Sequence, residues 1–151
     1  MLILWRLLHI FGFIFWFVGL MGTTSAQAAA KRAPDAEARR GAWSVVKRLQ
    51  PWEIVGLVLT PISGIFLTVT VYGHLFRGSP SFVHIKLLLA IVAAVLNIVV
   101  IVLRKKADAR LATGDAPGFA QALKPVNIMQ GIATLMLPLA VLAVVIIKYG
   151  G

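Results

Sequence analysis

Few side chains in this sequence can hold a proton, a charge or a metal away from water. His9, Glu53, His84 and Lys86 are among the ionisable ones, and with Asn97, Asn127 and Gln130 they interrupt long apolar runs. Ionisable groups inside a membrane are costly and by default mark a pathway or a bound ligand. His9 is followed by Gly12, Trp16 and Gly19, a 3-4-3 spacing that sets all four on one helix face. A neutral imidazole is a good iron ligand in a dry bundle. Two glycines leave room for a flat macrocycle, and Trp16 offers it an aromatic wall. That pattern reads as axial ligation of a haem by His9. The same spacing also serves a histidine that hydrogen-bonds across helices, with glycines for close packing. Spacing alone leaves both readings open.

His84 and Lys86 are two residues apart, about 200° around a helix, so they cannot both face a bundle centre. Lys86 shares a face with the small residues Ala90 and Ala93 and with Asn97, which makes it the inward candidate. Its alternative is to snorkel toward the interface. His84 lies nearer water and is either solvated or a second metal ligand beside His9. His74 reads as a loop histidine. Glu53 follows Pro51-Trp52, where an acid favours a helix N-terminus. There is no cysteine, which excludes disulfides, thiolate-bound zinc, iron–sulfur clusters and thiol nucleophiles.

The elements that position these groups follow from composition. The chain has 151 residues, 60% hydrophobic and only 13% charged, too few polar side chains to cover a water-facing surface. A soluble enzyme, a disordered chain and a nucleic-acid module are set aside. Four runs are long enough to cross a hydrocarbon core about 30 Å thick: Leu2–Ala28, Trp52–Phe76, Phe82–Leu103 and Asn127–Ile147. Gly78-Ser79-Pro80-Ser81 reads as a tight turn between the second and third. The expected fold is a single all-α domain over 1–151, a four-helix transmembrane bundle.

Eleven of the fifteen basic residues lie between spans one and two (Lys31, Arg32, Arg39, Arg40, Lys47, Arg48) or between spans three and four (Arg104, Lys105, Lys106, Arg110, Lys124). The positive-inside rule makes that side cytoplasmic and puts both termini on the outer, periplasmic side. The net charge of +10 is thus topology rather than a nucleic-acid surface. Arg6, an apolar run and Ala26-Gln27-Ala28 imitate a cleaved secretory signal, but the run is long for a signal core and reads as a retained helix. Residues 42–49 interleave Trp43, Val46 and Leu49 with Lys47 and Arg48: either a short amphipathic helix on the anionic leaflet or a solvated connector. Small and polar stripes mark the packing faces. They are Glu53, Gly56, Thr60 and Gly64 on span two, Lys86, Ala90, Ala93 and Asn97 on span three, and Asn127, Gly131, Thr134 and Pro138 on span four.

The run His9-Ile10-Phe11-Gly12-Phe13-Ile14-Phe15-Trp16-Phe17-Val18-Gly19-Leu20 resembles the first helix of the HemJ-type protoporphyrinogen IX oxidases, with its H-x-x-G-x-x-x-W-F-x-G-L pattern. Val83-His84-Ile85-Lys86-Leu87 is similar to that family's H-[IV]-K-L motif, and Thr60-Pro61 to its T-P-G segment. Asn127 corresponds to the asparagine of its R-x-x-N-E motif, although the acid is Ile128 here and no arginine precedes it at that spacing. Where the family continues its first helix with Y-L-x-R-L-F-V-Y-H, this chain reads Met21-Gly22-Thr23-Thr24-Ser25. Where the family has a Tyr-His pair, it has Leu96-Asn97. CopD-like membrane proteins have similar helices.

The resemblance implies a haem b protein of the bacterial inner membrane that oxidises protoporphyrinogen IX or transfers electrons, passing them to a quinone or the respiratory chain. It makes His9 the axial ligand, with Gly12, Trp16 and Gly19 around the macrocycle. His84 becomes a second ligand or proton relay, and Lys86 a catalytic group or the partner of a porphyrin propionate. The alternative is a non-catalytic accessory or structural subunit of a larger membrane complex, or a homo-oligomer. A solute permease ranks last, because no paired intramembrane acids and no broken helix stand out.

Overall fold

The computed structural model describes residues 1–75 and 80–149. Its helices are α1 (Leu2–Arg32), α2 (Ala36–Tyr72), α3 (Ser81–Ala112) and α4 (Ala116–Tyr149), and the described residues contain no strand. Each is long and apolar enough to cross a membrane. Within their most apolar windows only 17–22% of residues are buried by the protein itself. Leu88, Val95 and Leu135 are among the large side chains left on the outside. Lipid must cover that surface, so this is an integral membrane four-helix bundle. The turn expected at Gly78-Ser79-Pro80-Ser81 and the Phe76 end of span two fall partly or wholly outside the described residues.

The helices outrun the spans. With 31 to 37 residues each, they are about 47–56 Å long at about 1.5 Å per residue, against a hydrocarbon core of about 30 Å. Both basic stretches expected as connectors are mostly helix, leaving only Ala33-Pro34-Asp35 and Thr113-Gly114-Asp115 between elements. Caps explain where the chain turns. Asp35 Oδ1 accepts the Ala38 N–H at 2.8 Å, and Asp115 Oδ1 accepts that of Gly118 at 2.9 Å. Gly114, with φ 74°, supplies the left-handed residue that ends α3. Trp43 and Val46 do not lie on a membrane surface: they are buried, Trp43 edge-on to Phe119 with ring centroids 5.2 Å apart. With Ala107, Leu111 and Leu123 they form a core beyond the spans.

α1 packs tightly along α2. A Cβ on Gly12 would lie 2.9 Å from the Thr60 nitrogen, and one on Gly19 2.8 Å from the Glu53 Cα. One on Gly56 would collide with the Trp16 backbone. The glycines therefore let two backbones touch, as small residues do in membrane helix pairs. The stripes expected on spans one to three face the bundle. Span four is rotated from its expected stripe: Gly131 and Pro138 are exposed, and Val126, Gln130, Ala133, Leu137 and Ala140 are buried instead. The long amide of Gln130, which reaches across to α1, decides that rotation.

Candidate functional site

Two polar centres lie inside the bundle, one toward each end. His9 on α1 meets Lys86 on α3, while Thr23 meets Arg104 further along, so α1 and α3 run parallel. Gln27 near the end of α1 meets Gln130 in the first half of α4. Both chain termini therefore lie at the His9 end, and both basic turns at the other.

The larger centre sits toward the basic end. Glu53 and Arg104 pair at 2.8 Å with side chains 0% and 2% exposed. Arg104 Nη2 donates to Thr23 Oγ1 at 2.8 Å, and Thr23 donates to Glu53 Oε2 at 3.0 Å. Gln130 Nε2 donates to Thr23 Oγ1 (2.9 Å) and to the Leu20 carbonyl (3.0 Å). Gln27 turns its amide oxygen to Arg104 Nε at 2.8 Å, since the opposite orientation would set N–H against N–H. Its amide nitrogen then donates to Gln130 Oε1 (3.1 Å) and Asn127 Oδ1 (3.2 Å). All four helices are thereby tied at one level. Arg104, expected in a basic connector, is a core residue instead. Its expected counterpart role passes to the exposed Lys105 and Lys106 beside it.

The smaller centre is built on His9. Its Nδ1 lies 2.9 Å from the Thr60 carbonyl and 3.3 Å from Ser63 Oγ. A carbonyl can only accept, so Nδ1 carries the proton and Nε2 keeps its lone pair. Lys86 Nζ lies 3.1 Å from that Nε2 and donates to it. Gly64 makes room for the ring: a Cβ there would stand 3.0 Å from His9 Cε1. The five acidic residues of the chain are Asp35, Glu37, Glu53, Asp108 and Asp115. None lies at this end of the bundle, so no acidic side chain neutralises the Lys86 ammonium.

The sequence candidates divide accordingly. His9 and Lys86 are brought together. His84 is half-buried in the first turn of α3 and is not among the hydrogen-bond partners of His9. Trp16 is fully buried, packed with Leu20, Leu57, Ala93 and Leu137. The room expected beside Gly12 and Gly19 is occupied by α2 backbone, so these two glycines seat a helix rather than a macrocycle. Among the described residues, the buried Trp16 Nε1, Thr60 Oγ1, Glu53 Oε1 and both amide atoms of Asn97 have no hydrogen-bond partner.

Thr23, Gln27 and Arg104 do not stand out from the sequence as site residues, whereas Gln130 does so only as a polar interruption of an apolar run. One signal pointed to Arg104: it follows Asn97 by seven residues, and a buried Glu53 requires a cation nearby. Among the described residues no three histidines or acids converge as a metal cage. Comparison with protein-family models, curated proteins and solved structures finds no match to this chain.

Proposed function

We propose that this chain is a haem b-binding integral membrane protein of a bacterial inner membrane, with His9 Nε2 as the axial ligand and Lys86 as the partner of a propionate. One observation carries the reading. His9 is anchored through Nδ1–H on the Thr60 carbonyl, with Nε2 turned to α3 beside an ammonium that no acidic side chain neutralises. A metal-binding histidine characteristically donates its other N–H to a carbonyl or carboxylate, which fixes tautomer and ring direction. Haem brings four of its own nitrogen ligands and needs only one or two from the protein, so a cage of three side chains is not required. The tautomer fits, but Lys86 Nζ occupies Nε2 at 3.1 Å and would have to leave it for a propionate, and the glycine seam does not fit. The α2 backbone against Gly12 and Gly19 closes that face of α1 to a ligand.

Bound haem b would supply one-electron transfer. The chain's own residues would hold it: His9 as ligand, Gly64 and Ser63 setting the ring, Lys86 pairing with a carboxylate as a point charge. By resemblance the electron donor is protoporphyrinogen IX and the acceptor a quinone or the respiratory chain, with His84 and Lys86 handling protons. The basic end is cytoplasmic on this reading. A second reading, an accessory subunit without cofactor, draws support from the closed glycine seam.

The test is the visible spectrum of the full chain purified from haem-supplied cells. A Soret band is expected in the wild type, lost in His9→Ala. Lys86→Met keeps the band but lowers haem retention. A colourless wild type, or a band untouched by His9→Ala, overturns haem ligation by His9 and leaves the accessory reading.

A further inference from the structure

α1 lies tightly along α2 and α3 along α4, but α2 and α3 meet at few points, and a groove opens between them toward the basic end. It has a volume of about 320 Å³ and runs between Ile54 on α2 and Ile101 on α3, past Pro51 and Lys105, to Lys47 and Asp108. An adjoining hollow of about 180 Å³ shares Trp43, Lys47 and Asp108 and continues to Arg40 and Ser44. Polarity changes along its length. The end nearer the middle of the bundle is aliphatic, Ile54 and Ile101. The far end carries the cations Arg40, Lys47 and Lys105, with the indole of Trp43 between.

The charge balance at the far end is uneven. Asp108 is held by Lys47 at 2.6 Å and accepts the Trp43 Nε1–H at 2.9 Å, so its charge is compensated within the groove. Arg104 also borders the groove, but its guanidinium is turned inward and neutralised by Glu53. Arg40 and Lys105 remain, both exposed. Neither takes part in an ion pair among the described residues. A cleft between membrane helices with an aliphatic inner end and, from the ends of the spans outward, two uncompensated cations, Lys105 and then Arg40, matches the chemistry of one class of molecule: an acyl chain joined to an anionic headgroup.

We propose that the α2–α3 groove is a binding site for an anionic phospholipid, its headgroup held by Lys105 with Arg40 further out along α2, and an acyl chain lying along Ile54 and Ile101. The fixed Lys47–Asp108 pair gives the headgroup a donor, since the second and third ammonium hydrogens of Lys47 are directed away from Asp108 Oδ1. The site is independent of His9 and does not depend on haem. It also accounts for the wedge between the hairpins, because a lipid seated there covers Ile54 and Ile101, where helix does not meet helix.

The experiment is native mass spectrometry of the full chain released from nanodiscs of equal parts phosphatidylcholine and phosphatidylglycerol. The wild type is expected to retain one phosphatidylglycerol in preference to phosphatidylcholine. Each basic residue near the surface is worth about fivefold in binding an anionic lipid, so Arg40→Gln/Lys105→Gln should cut that preference about 30-fold. Lys31→Gln/Arg32→Gln removes the same charge outside the groove and should leave it unchanged. Ile54→Trp fills the inner end without altering charge, and should also abolish retention while the melting temperature holds. Equal retention of the two lipids by the wild type overturns the site. So does equal loss in the Lys31/Arg32 control, which would mean bulk charge attraction. Phosphatidylglycerol displaced by millimolar inorganic phosphate, or retained in Ile54→Trp, overturns it as well, leaving an anion site without an acyl seat.

Discussion

Replacing Glu53 by glutamine removes one charge and almost no volume from the centre of the bundle, and the structure sets the size of the effect. Arg104 is 2% exposed and its Nη1 lies 2.8 Å from Glu53 Oε2. At an effective dielectric of about 20, charges at that separation attract by about 6 kcal/mol. Arg104 has no second acid, since the other four acids of the chain lie outside its contacts. Glu53→Gln therefore strands a buried guanidinium on the neutral acceptors Thr23 and Gln27. Breaking a buried pair by removing one partner costs about 3–5 kcal/mol, less than the gross attraction because the environment relaxes. For a chain of this size each kcal/mol moves the midpoint by about 2–4 °C, so Tm in nanodiscs should fall by about 6–20 °C. Glu53→Leu/Arg104→Met removes both charges and fills the space, and should recover most of that loss, because an apolar pair of similar volume is often neutral relative to an ion pair. Gln130 keeps its bonds to Thr23 and the Leu20 carbonyl in the double variant. A Glu53→Gln protein melting within 2 °C of wild type would refute the reasoning, as would a double variant less stable than the single one.

Gly56→Ala should destabilise by at least about 1–3 kcal/mol, since the added Cβ meets the Trp16 backbone, which has no rotamer to escape into. Gly131→Ala, with nothing within 4 Å, should be neutral or stabilising by up to about 1 kcal/mol, and similar melting of the two variants would count against the α1–α2 seam. Cysteines placed at Arg40 and Lys105 should be labelled by a membrane-impermeant maleimide only after the cells are opened, whereas labelling of intact cells would reverse the proposed orientation.

The bundle was readable because lipid imposes its own grammar: length, hydropathy and small-residue spacing are enough to give four helices and three of their four packing faces. Span four failed for a specific reason. Gly131 and Pro138 are small or helix-bending and resemble a seam, but the face is set one residue earlier by Gln130, whose amide has a partner only across the bundle. Hydropathy weighs side chains singly, and a buried amide is explained only by what it bonds. Arg104 shows the same limit from the other side. Near a run of lysines it reads as topology, and only the acid on another helix makes it core. Lys86 was readable as the inward member of its turn because helical geometry forbids His84 and Lys86 from facing inward together, but its partner His9 was not.

Gly12 and Gly19 carried two meanings that sequence spacing could not separate, a recess for a ligand or a seat for a helix, and the proximity of Thr60 and Glu53 decides for the seat. That outcome relocates the question of ligand binding rather than closing it. α2 closes the glycine face, and on its α3 side His9 accepts a hydrogen bond from Lys86 through Nε2. The two polar centres then have different physics. The Glu53–Arg104 layer is balanced in charge and joins all four helices, which is the signature of a structural tie. The His9–Lys86 centre, at the opposite end, joins α1, α2 and α3 through neutral acceptors with no acid beside it, and ionisable groups so placed in a membrane are costly.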